Sequence, residues 1–487
     1  KANNDPVHAD QQALWIDPSD SEHLLLGNDG GLYESHDGGE NFIHHNTEAV
    51  GQFYTVSVDM DKPYNVYGGL QDNGTFFGPS TSTPNRNRPW KRLFGGDGMH
   101  VFADPTNSDL VYVGFQYGNY FRIDQKANTR ESITPSHEIG EPRYRYNWNT
   151  PIAISHHNPD VVYFGSQKLS RSFDQGRTWT AISPDLTNDY PNGDVPYSTL
   201  STIGESPLDF NQIWVGTDDG NIQLTTNGGV TWNNVTNNIP KDLWVSEVHP
   251  SKYDKGTAYV SLNGYRYDDF TTYLYKTTDF GKTWTSINGN LPNEVANVIV
   301  QDPKVPNILY AGLDHGTYIT FNDGKEWHYL NNLPNVASYD MVVHPRDLDL
   351  VIGTHGRSIW IMDVEPLHQV SKRINESVTG IQPDDIRSSN RWGTQFSPYR
   401  NAINPSADFI YFVSDKKGAT IDITIADKDG KKVYSTKVDS DYGFNVFNWD
   451  LIPEKGKGSN NSYIKKGKYT IEYKAGKSTH KVNLNVK

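Results

Sequence analysis

The chain has 487 residues, enough for two or more domains, and a formal net charge of −14 at pH 7. This charge argues against nucleic acid as a partner, because phosphate binding needs clustered lysine and arginine. The absence of cysteine excludes disulfides and thiolate chemistry, and no apolar run approaches the ~20 residues that span a bilayer.

A strand pattern recurs through the first three quarters of the chain. Each unit has a short apolar strand that often ends in Asp-Pro or His-Pro, then a Val/Ile-Tyr-x-Gly strand, a polar glycine-containing turn and two further strands. Eight units are recognised from stretches at 14–30, 56–74, 101–114, 152–165, 213–220, 248–260, 298–312 and 341–357. A repeat of roughly 40–50 residues is typical of a propeller, a solenoid or an array.

Five units share an eight-residue motif of the form Ser/Thr-x-Asp/Asn-x-Gly-x-x-Trp/Phe. Its copies lie at 35–42, 172–179, 225–232, 277–284 and 320–327. The Asp or Asn is expected to accept hydrogen bonds from its own turn, the Gly to supply a positive φ, and the aromatic residue to pack under the turn. The motif therefore predicts folding chemistry rather than a site.

Four short antiparallel strands per unit predict a β-propeller over residues 1–366, with seven or eight blades. The last unit shows only three strands before residue 363. Either the N-terminal segment supplies its fourth strand and closes the ring, or the first unit belongs to another propeller.

The pattern changes after the propeller. Residues 367–403 are mostly polar and predict a linker that covers an edge. Residues 404–487 contain six or seven alternating strands, as in 409–413, 421–425 and 469–473, which predict an immunoglobulin-like β-sandwich.

Propeller topology separates the motif from the expected site. The turns between second and third strands, together with the connections between blades, open at one end of the ring, and the motif turns open at the other. The ligand-binding candidates at the first end are Asp29, Gln71, Asn73, His100, Arg145, Trp148, Asp219, His315, His355 and Arg357. Together they predict a polar funnel with an aromatic platform, although each Asp or Asn alone fits ordinary turn chemistry.

Paired carboxylates at this end could act as general acid and base, and the catalytic candidates are Asp72, Asp97 and Asp218. No metal-binding spacing occurs, so no metal or other cofactor is expected, although structural calcium at Asp-rich turns stays open. Arg145 and Arg357 could bind an anion, but paired structural arginines are the simpler interpretation.

The repeated motif resembles the Asp-box, or BNR repeat, of sialidases, two-propeller xyloglucan hydrolases and sortilin-type receptors. The wider resemblance is to bacterial secreted BNR proteins described as sortilin-like or glycosyl-hydrolase-like. The stretches that carry it are 8–18, 69–74, 146–152, 173–179 with 182–187, 354–360, 404–405 and 448–450. It implies a secreted, periplasmic or cell-surface protein whose larger relatives have a further propeller upstream.

Two functions follow from these observations. The first is an extracytoplasmic module that binds a glycan, a peptide or a partner protein, with an upstream propeller or another envelope subunit as a further partner. The alternative is a glycoside hydrolase that uses paired carboxylates at the propeller mouth. The sialidase arginine triad is not found, and the xyloglucan enzymes place their catalytic Asp residues between two propellers, so the binding module is preferred.

Overall fold

The computed structural model describes residues 7–45, 49–82, 90–191, 193–330, 333–395, 401–454 and 462–487. The chain divides into two compact units, Lys1–Met362 and Asp363–Lys487. Strands dominate both units, so the predicted all-β class is confirmed. Within these described ranges, no helix is both long and apolar enough to cross a membrane.

The first unit consists of antiparallel sheets that follow one another along the chain. The first four sheets are β1 (Gln11–Asp17), β2 (Asp20–Asn28), β3 (Gly31–Ser35) and β4 (Ile43–His45); β5 (Phe53–Val58), β6 (Asn65–Leu70), β7 (Gly74–Pro79) and β8 (Lys91–Phe94); β9 (Val101–Asp104), β10 (Asn107–Phe115), β11 (Asn119–Asp124) and β12 (Thr129–Ser132); and β13 (Ile152–Ile154), β14 (Val162–Gly165), β15 (Leu169–Ser172) and β16 (Thr180–Ala181).

Four more sheets complete the unit. They are β17 (Leu200–Glu205), β18 (Ile213–Thr217), β19 (Ile222–Thr225) and β20 (Asn233–Asn234); β21 (Trp244–Pro250), β22 (Ala258–Gly264), β23 (Asp269–Thr277) and β24 (Thr285–Ser286); β25 (Ala296–Gln301), β26 (Leu309–Leu313), β27 (Gly316–Thr320) and β28 (Trp327–Tyr329); and β29 (Ser338–Val343), β30 (Asp349–Thr354) and β31 (Ile359–Asp363).

The first strands of the second to eighth sheets pack against one another in order. Strand β5 contacts β9, β9 contacts β13, and the series continues through β17, β21 and β25 to β29, which contacts β5 again. The junction is tied by backbone hydrogen bonds, with the Gly356 N–H donating to the Gly51 carbonyl at 2.9 Å. These seven sheets therefore form a closed ring.

The ring explains why its second strands are continuously apolar. Every residue of β18 and of β26 is buried, because each sheet has a neighbouring sheet on both faces. Trp214 of β18, for example, packs in one cluster with Val248 and Val260 of the following sheet. The fourth strands β16 and β20 lie at the rim and are exposed.

Four of the five copies of the motif connect a sheet to the one before it. In 277–284, the Thr277 hydroxyl donates to Asp279 Oδ1 at 2.8 Å and accepts from the Gly281 N–H at 2.9 Å. The indole Nε1–H of Trp284 then donates to the Val235 carbonyl of the preceding sheet at 2.8 Å. The Trp residues of 172–179, 225–232 and 320–327 donate in the same way, so the predicted folding role of the motif is observed.

The first sheet does not take part in the ring of first-strand contacts described above. It contacts the ring through turns, where the Asn73 side-chain amide donates to the Asp29 carbonyl at 2.9 Å. Strand β1 exposes 59% of Leu14, 45% of Trp15 and 49% of Ile16. Both faces of β1 are therefore open to solvent in the described chain.

The second unit contains two sheets and a short helix. Its elements are α1 (His368–Lys372), β32 (Val378–Gly380), β33 (Ala407–Val413), β34 (Ala419–Asp427), β35 (Lys432–Ser440), β36 (Gly443–Trp449), β37 (Gly467–Ala475) and β38 (Ser478–Val486), with sheet orders β32-β33-β36 and β35-β34-β37-β38. Phe409, Trp449, Ile423 and Tyr473 contribute to one core. The segment 367–403, expected to be a linker, contains α1 and β32. Strand β32 pairs with β33, and its Val378 is buried in that core.

Candidate functional site

A pocket of about 450 Å³ opens at the end of the ring where the turns between second and third strands lie. Its walls come from such turns after β10, β18 and β22 and from the connections that lead into β13, β17 and β21. Five aromatic side chains line it: Tyr117, Trp148, Tyr197, Trp244 and Tyr267. The pocket therefore lies at the end of the ring that the sequence singled out.

The aromatic rings of the pocket contact one another and a neighbouring arginine. Trp148, which is 39% exposed, meets Tyr117 edge to face with ring centroids 5.1 Å apart. The Arg266 guanidinium lies 4.2 Å from the centre of the Trp244 ring, and the hydroxyls of Tyr197 and Tyr267 are 3.2 Å apart. Such apolar faces with polar edges suit a ligand that has C–H faces and hydroxyl groups.

Asp218 forms the polar floor of this pocket. Its carboxylate accepts hydrogen bonds from the Thr199 N–H at 2.8 Å, the Thr199 hydroxyl at 2.6 Å and the Asn147 amide at 3.2 Å. Burial raises the pKa of Asp218 to about 6, although the bonds from Thr199 favour the ionised form. The side chain is 2% exposed, so these contacts fix Asn147 and the pocket floor.

Three carboxyl groups meet where the first sheet approaches the ring. The Asp72 N–H donates to Asp97 Oδ1 at 2.9 Å, and the Asp72 carboxyl is within hydrogen-bonding reach of both Asp29 and Asp97. Burial and the two neighbouring charges raise the pKa of Asp72 to about 6. Asp72 also has a φ of 60°, which the Gln71–Asn73 turn imposes.

Tyr54 connects this carboxyl cluster with the aromatic pocket. Burial raises the pKa of Tyr54 to about 12, a hydrogen bond with Trp148 opposes the shift, and the charges of Asp97 and Asp72 add to it. Beside it, His355 stacks on Tyr339 with ring centroids 4.3 Å apart. Burial lowers the pKa of His355, which favours the neutral imidazole.

Several predicted ligand residues instead serve their own turns. Asp219 is fully buried and accepts hydrogen bonds from the Thr217 hydroxyl at 2.5 Å and the Asn188 N–H at 2.7 Å. The Asn73 amide donates to the Gln71 carbonyl at 3.0 Å. These contacts match the turn chemistry that the sequence offered as the simpler interpretation.

Of the two predicted basic residues, Arg145 is held by protein partners and Arg357 is exposed. Arg145 donates to the Ser198 carbonyl at 3.1 Å and pairs with Asp185 at 2.8 Å and Asp189 at 3.0 Å, so it is a paired structural arginine. Arg357 is exposed, and its N–H is bonded to the Thr354 hydroxyl at 3.0 Å.

Two predicted histidines also lie apart from the pocket. His315 is exposed and pairs with Glu294 at 3.2 Å. His100 is partly buried beside Phe102, and burial lowers its pKa to about 4.

Sequence reasoning missed four aromatic residues of the pocket: Tyr117, Tyr197, Trp244 and Tyr267. They lie in or beside connections that carry no periodic pattern, and nothing in their spacing predicts that they converge. A usable signal was their position next to predicted turns at the same end of the ring as Trp148.

Structural calcium stays a prediction. At the Asp427 turn, the carboxylate accepts hydrogen bonds from the Asp429 and Lys431 N–H groups.

Comparison with known proteins found one weak sequence relative, of partial coverage, and several similar solved structures. No family model matches the chain. A probable oligoxyloglucan-reducing end-specific xyloglucanase from Neosartorya fischeri is 24% identical over 208 residues, which cover 40% of this chain and 24% of that protein. The chain therefore spans about a quarter of the curated relative it matches.

A solved structure shares the fold. The GH74 xyloglucanase from Xanthomonas campestris aligns with a TM-score of 0.51 and 14% identity, covering 89% of this chain and 66% of that one. The GH74 enzyme from Niastella koreensis aligns at a TM-score of 0.31 and 14% identity, over 72% of this chain and 74% of that one. The first of these likenesses supports the β-propeller fold.

Proposed function

We propose that the chain binds polysaccharide in its aromatic pocket and works as part of a glycoside hydrolase. The observation that carries this proposal is the pocket of about 450 Å³ lined by five aromatic side chains. A sugar ring has an apolar C–H face that packs on Trp148 or Trp244, and its hydroxyls would meet Asn147, Asn263 and Arg266 at the pocket wall.

The glycoside hydrolase alternative is preferred here over a binding module without activity. The relative and the solved neighbours are xyloglucanases or GH74 enzymes by name, and they support this class more than a peptide or protein receptor. Xyloglucan and its oligosaccharides are therefore the first ligands to test. The net charge of −14 favours such a neutral glycan over an acidic one.

We assign the proton-donor role to Asp72. Its pKa of about 6 leaves a fraction of the carboxyl protonated near neutral pH. Glycosidase carboxyl pairs stand about 5–9.5 Å apart, whereas Asp72 is within hydrogen-bonding reach of Asp29 and Asp97. Asp29 and Asp97 are therefore too close to Asp72 to act as the second carboxylate; in this proposal they raise its pKa, and the second role is assigned to no described residue.

The finer description of the fold belongs to the same proposal. We infer a seven-bladed Asp-box propeller of the BNR type for the ring, an immunoglobulin-like sandwich for 404–487, and an extracytoplasmic location. The exposed apolar faces around Leu14, Trp15 and Ile16 support a place for the first sheet in an adjoining propeller or envelope subunit.

Calorimetric titration with xyloglucan oligosaccharides, together with a reducing-sugar assay, tests the proposal. Trp148→Ala is expected to weaken binding at least ~10-fold, or about 1.4 kcal/mol. Tyr253→Ala is the matched control, because Tyr253 is also 39% exposed but lies at the opposite end of the ring. Asp72→Asn should abolish hydrolysis and leave binding intact. Failure of the unmodified chain to bind any neutral polysaccharide would overturn the proposal.

A further inference from the structure

Three histidines surround one glutamate on a face of the first sheet, apart from the aromatic pocket. Glu34 of β3 lies directly opposite Leu25 of β2 and Ile43 of β4. Because side chains alternate between the faces of a sheet, the residues two positions away on each strand share the face of Glu34. His23 of β2 and His45 of β4 therefore lie on one side of the sheet, and His36, one residue beyond the end of β3, reaches Glu34 as well.

The ligand atoms of this cluster converge. Nε2 of His23 is 2.9 Å and Nε2 of His36 is 3.4 Å from Glu34 Oε1. Nε2 of His45 is 2.7 Å from the other oxygen, Oε2. One ligand atom from each of His23, Glu34 and His36 lies within 4.8 Å of the others.

We propose that His23, Glu34 and His36 bind one Zn²⁺ ion. Zinc takes imidazole nitrogen and carboxylate oxygen at about 2.0–2.2 Å, so the ligand atoms of a tetrahedral site stand about 3.3 Å from one another. The two distances to Glu34 Oε1 bracket that value. Two imidazoles favour zinc over calcium or magnesium, which prefer oxygen ligands. Water completes the coordination.

The surroundings of the three ligands fit a metal site. Nδ1 of His23 lies 3.4 Å from Asp17 Oδ2, which leaves Nε2 for the metal and orients the ring through a carboxylate. The rings of His23 and His36 stack with centroids 4.6 Å apart. His45 holds the second oxygen of Glu34 and so positions that carboxylate. His36 is 60% exposed, which gives the ion a path from solvent.

A hydrogen-bonded His–Glu network without metal is the competing interpretation. The two interpretations differ in what Glu34 Oε1 requires. A metal site needs both His23 and His36 beside this oxygen, whereas a hydrogen-bonded network needs only one donor for each carboxylate oxygen. Substitution of the exposed His36 therefore separates them, because it removes a metal ligand and leaves the bonds of His23 and His45 with Glu34 in place.

Calorimetric titration of the chelator-treated chain, without a histidine tag, with ZnCl₂ tests the site. One Zn²⁺ per chain is expected. His36→Ala should weaken binding at least ~10-fold, and Asp17→Asn by about 10–100-fold, the usual effect of removing an orienting partner. His44→Phe is the matched control, because His44 adjoins His45 but stacks on Tyr33 on the other face.

The outcomes separate cleanly. Circular dichroism would verify that each variant is folded. Equal zinc affinity in His36→Ala and the unmodified chain would overturn the assignment, as would the absence of stoichiometric binding or an equal loss in His44→Phe. Any heat of binding with calcium chloride should be the same for His36→Ala and the unmodified chain, and stoichiometric calcium binding that is lost in His36→Ala would contradict the choice of metal.

Discussion

Trp284 gives the most direct test of how the repeated motif holds the sheets together. Its side chain is buried, meets Trp214 with ring centroids 6.1 Å apart, and donates to the Val235 carbonyl at 2.8 Å. Trp284→Ala removes the buried ring, its contact with Trp214 and its hydrogen bond, and is expected to lower the free energy of unfolding by about 3–5 kcal/mol. Trp284→Phe keeps most of the apolar contact but removes the indole hydrogen bond, and because the Val235 carbonyl still accepts from the Asn237 N–H at 2.8 Å, the expected cost is about 0.5–1.5 kcal/mol.

Urea denaturation followed by circular dichroism measures these differences without relying on tryptophan fluorescence. Phe280→Ala is the matched control, since Phe280 belongs to the same motif copy but is 38% exposed. We expect it to change stability by less than ~0.5 kcal/mol. The reasoning fails if Trp284→Ala costs no more than Phe280→Ala, or if Trp284→Phe is as stable as the unmodified chain.

Two further predictions concern the ring. Burial on an innermost strand raises the pKa of Asp340 to about 7, so the folded chain retains a proton that the unfolded chain loses above pH ~4. The contribution of Asp340 to stability should therefore fall as pH rises from about 4 to about 7, so the difference in melting temperature between the unmodified chain and Asp340→Asn should shift in favour of Asp340→Asn over that range; a constant difference would contradict this. Gly281 has a φ of 75°, and an added Cβ would lie 2.7 Å from Val235 Cβ. Gly281→Ala should therefore destabilise the chain more than Gly38→Ala, where φ is 68° and no atom lies within 4 Å; equal urea midpoints would refute it.

The sequence predicts the strands well because each sheet has a local signature. A Val-Tyr-x-Gly strand such as β14 and a motif turn such as 172–179 each reveal themselves within about ten residues. Ring closure has no such signature, since it depends on which first strands pack together. The contact between β29 and β5 joins residues almost 300 positions apart in sequence and leaves the first sheet aside.

The site is only partly predictable for a related reason. Trp148 and Asp218 stand out as residue types beside predicted turns, and the structure brings both to one pocket. Tyr197 and Trp244 reach it from connections whose course is set by tertiary packing. The zinc candidates escaped notice because His23 and His36 become neighbours only through the register of β2 and β3, which the spacing of histidines in the chain does not reveal.

The position of a bound xyloglucan oligosaccharide in a crystal structure of the complex tests the central claim most directly. The account predicts a sugar ring packed on Trp148 next to Tyr117, with hydroxyls near Asn147. A sugar bound at the end of the ring that carries the motif turns, with the aromatic pocket empty, would contradict it.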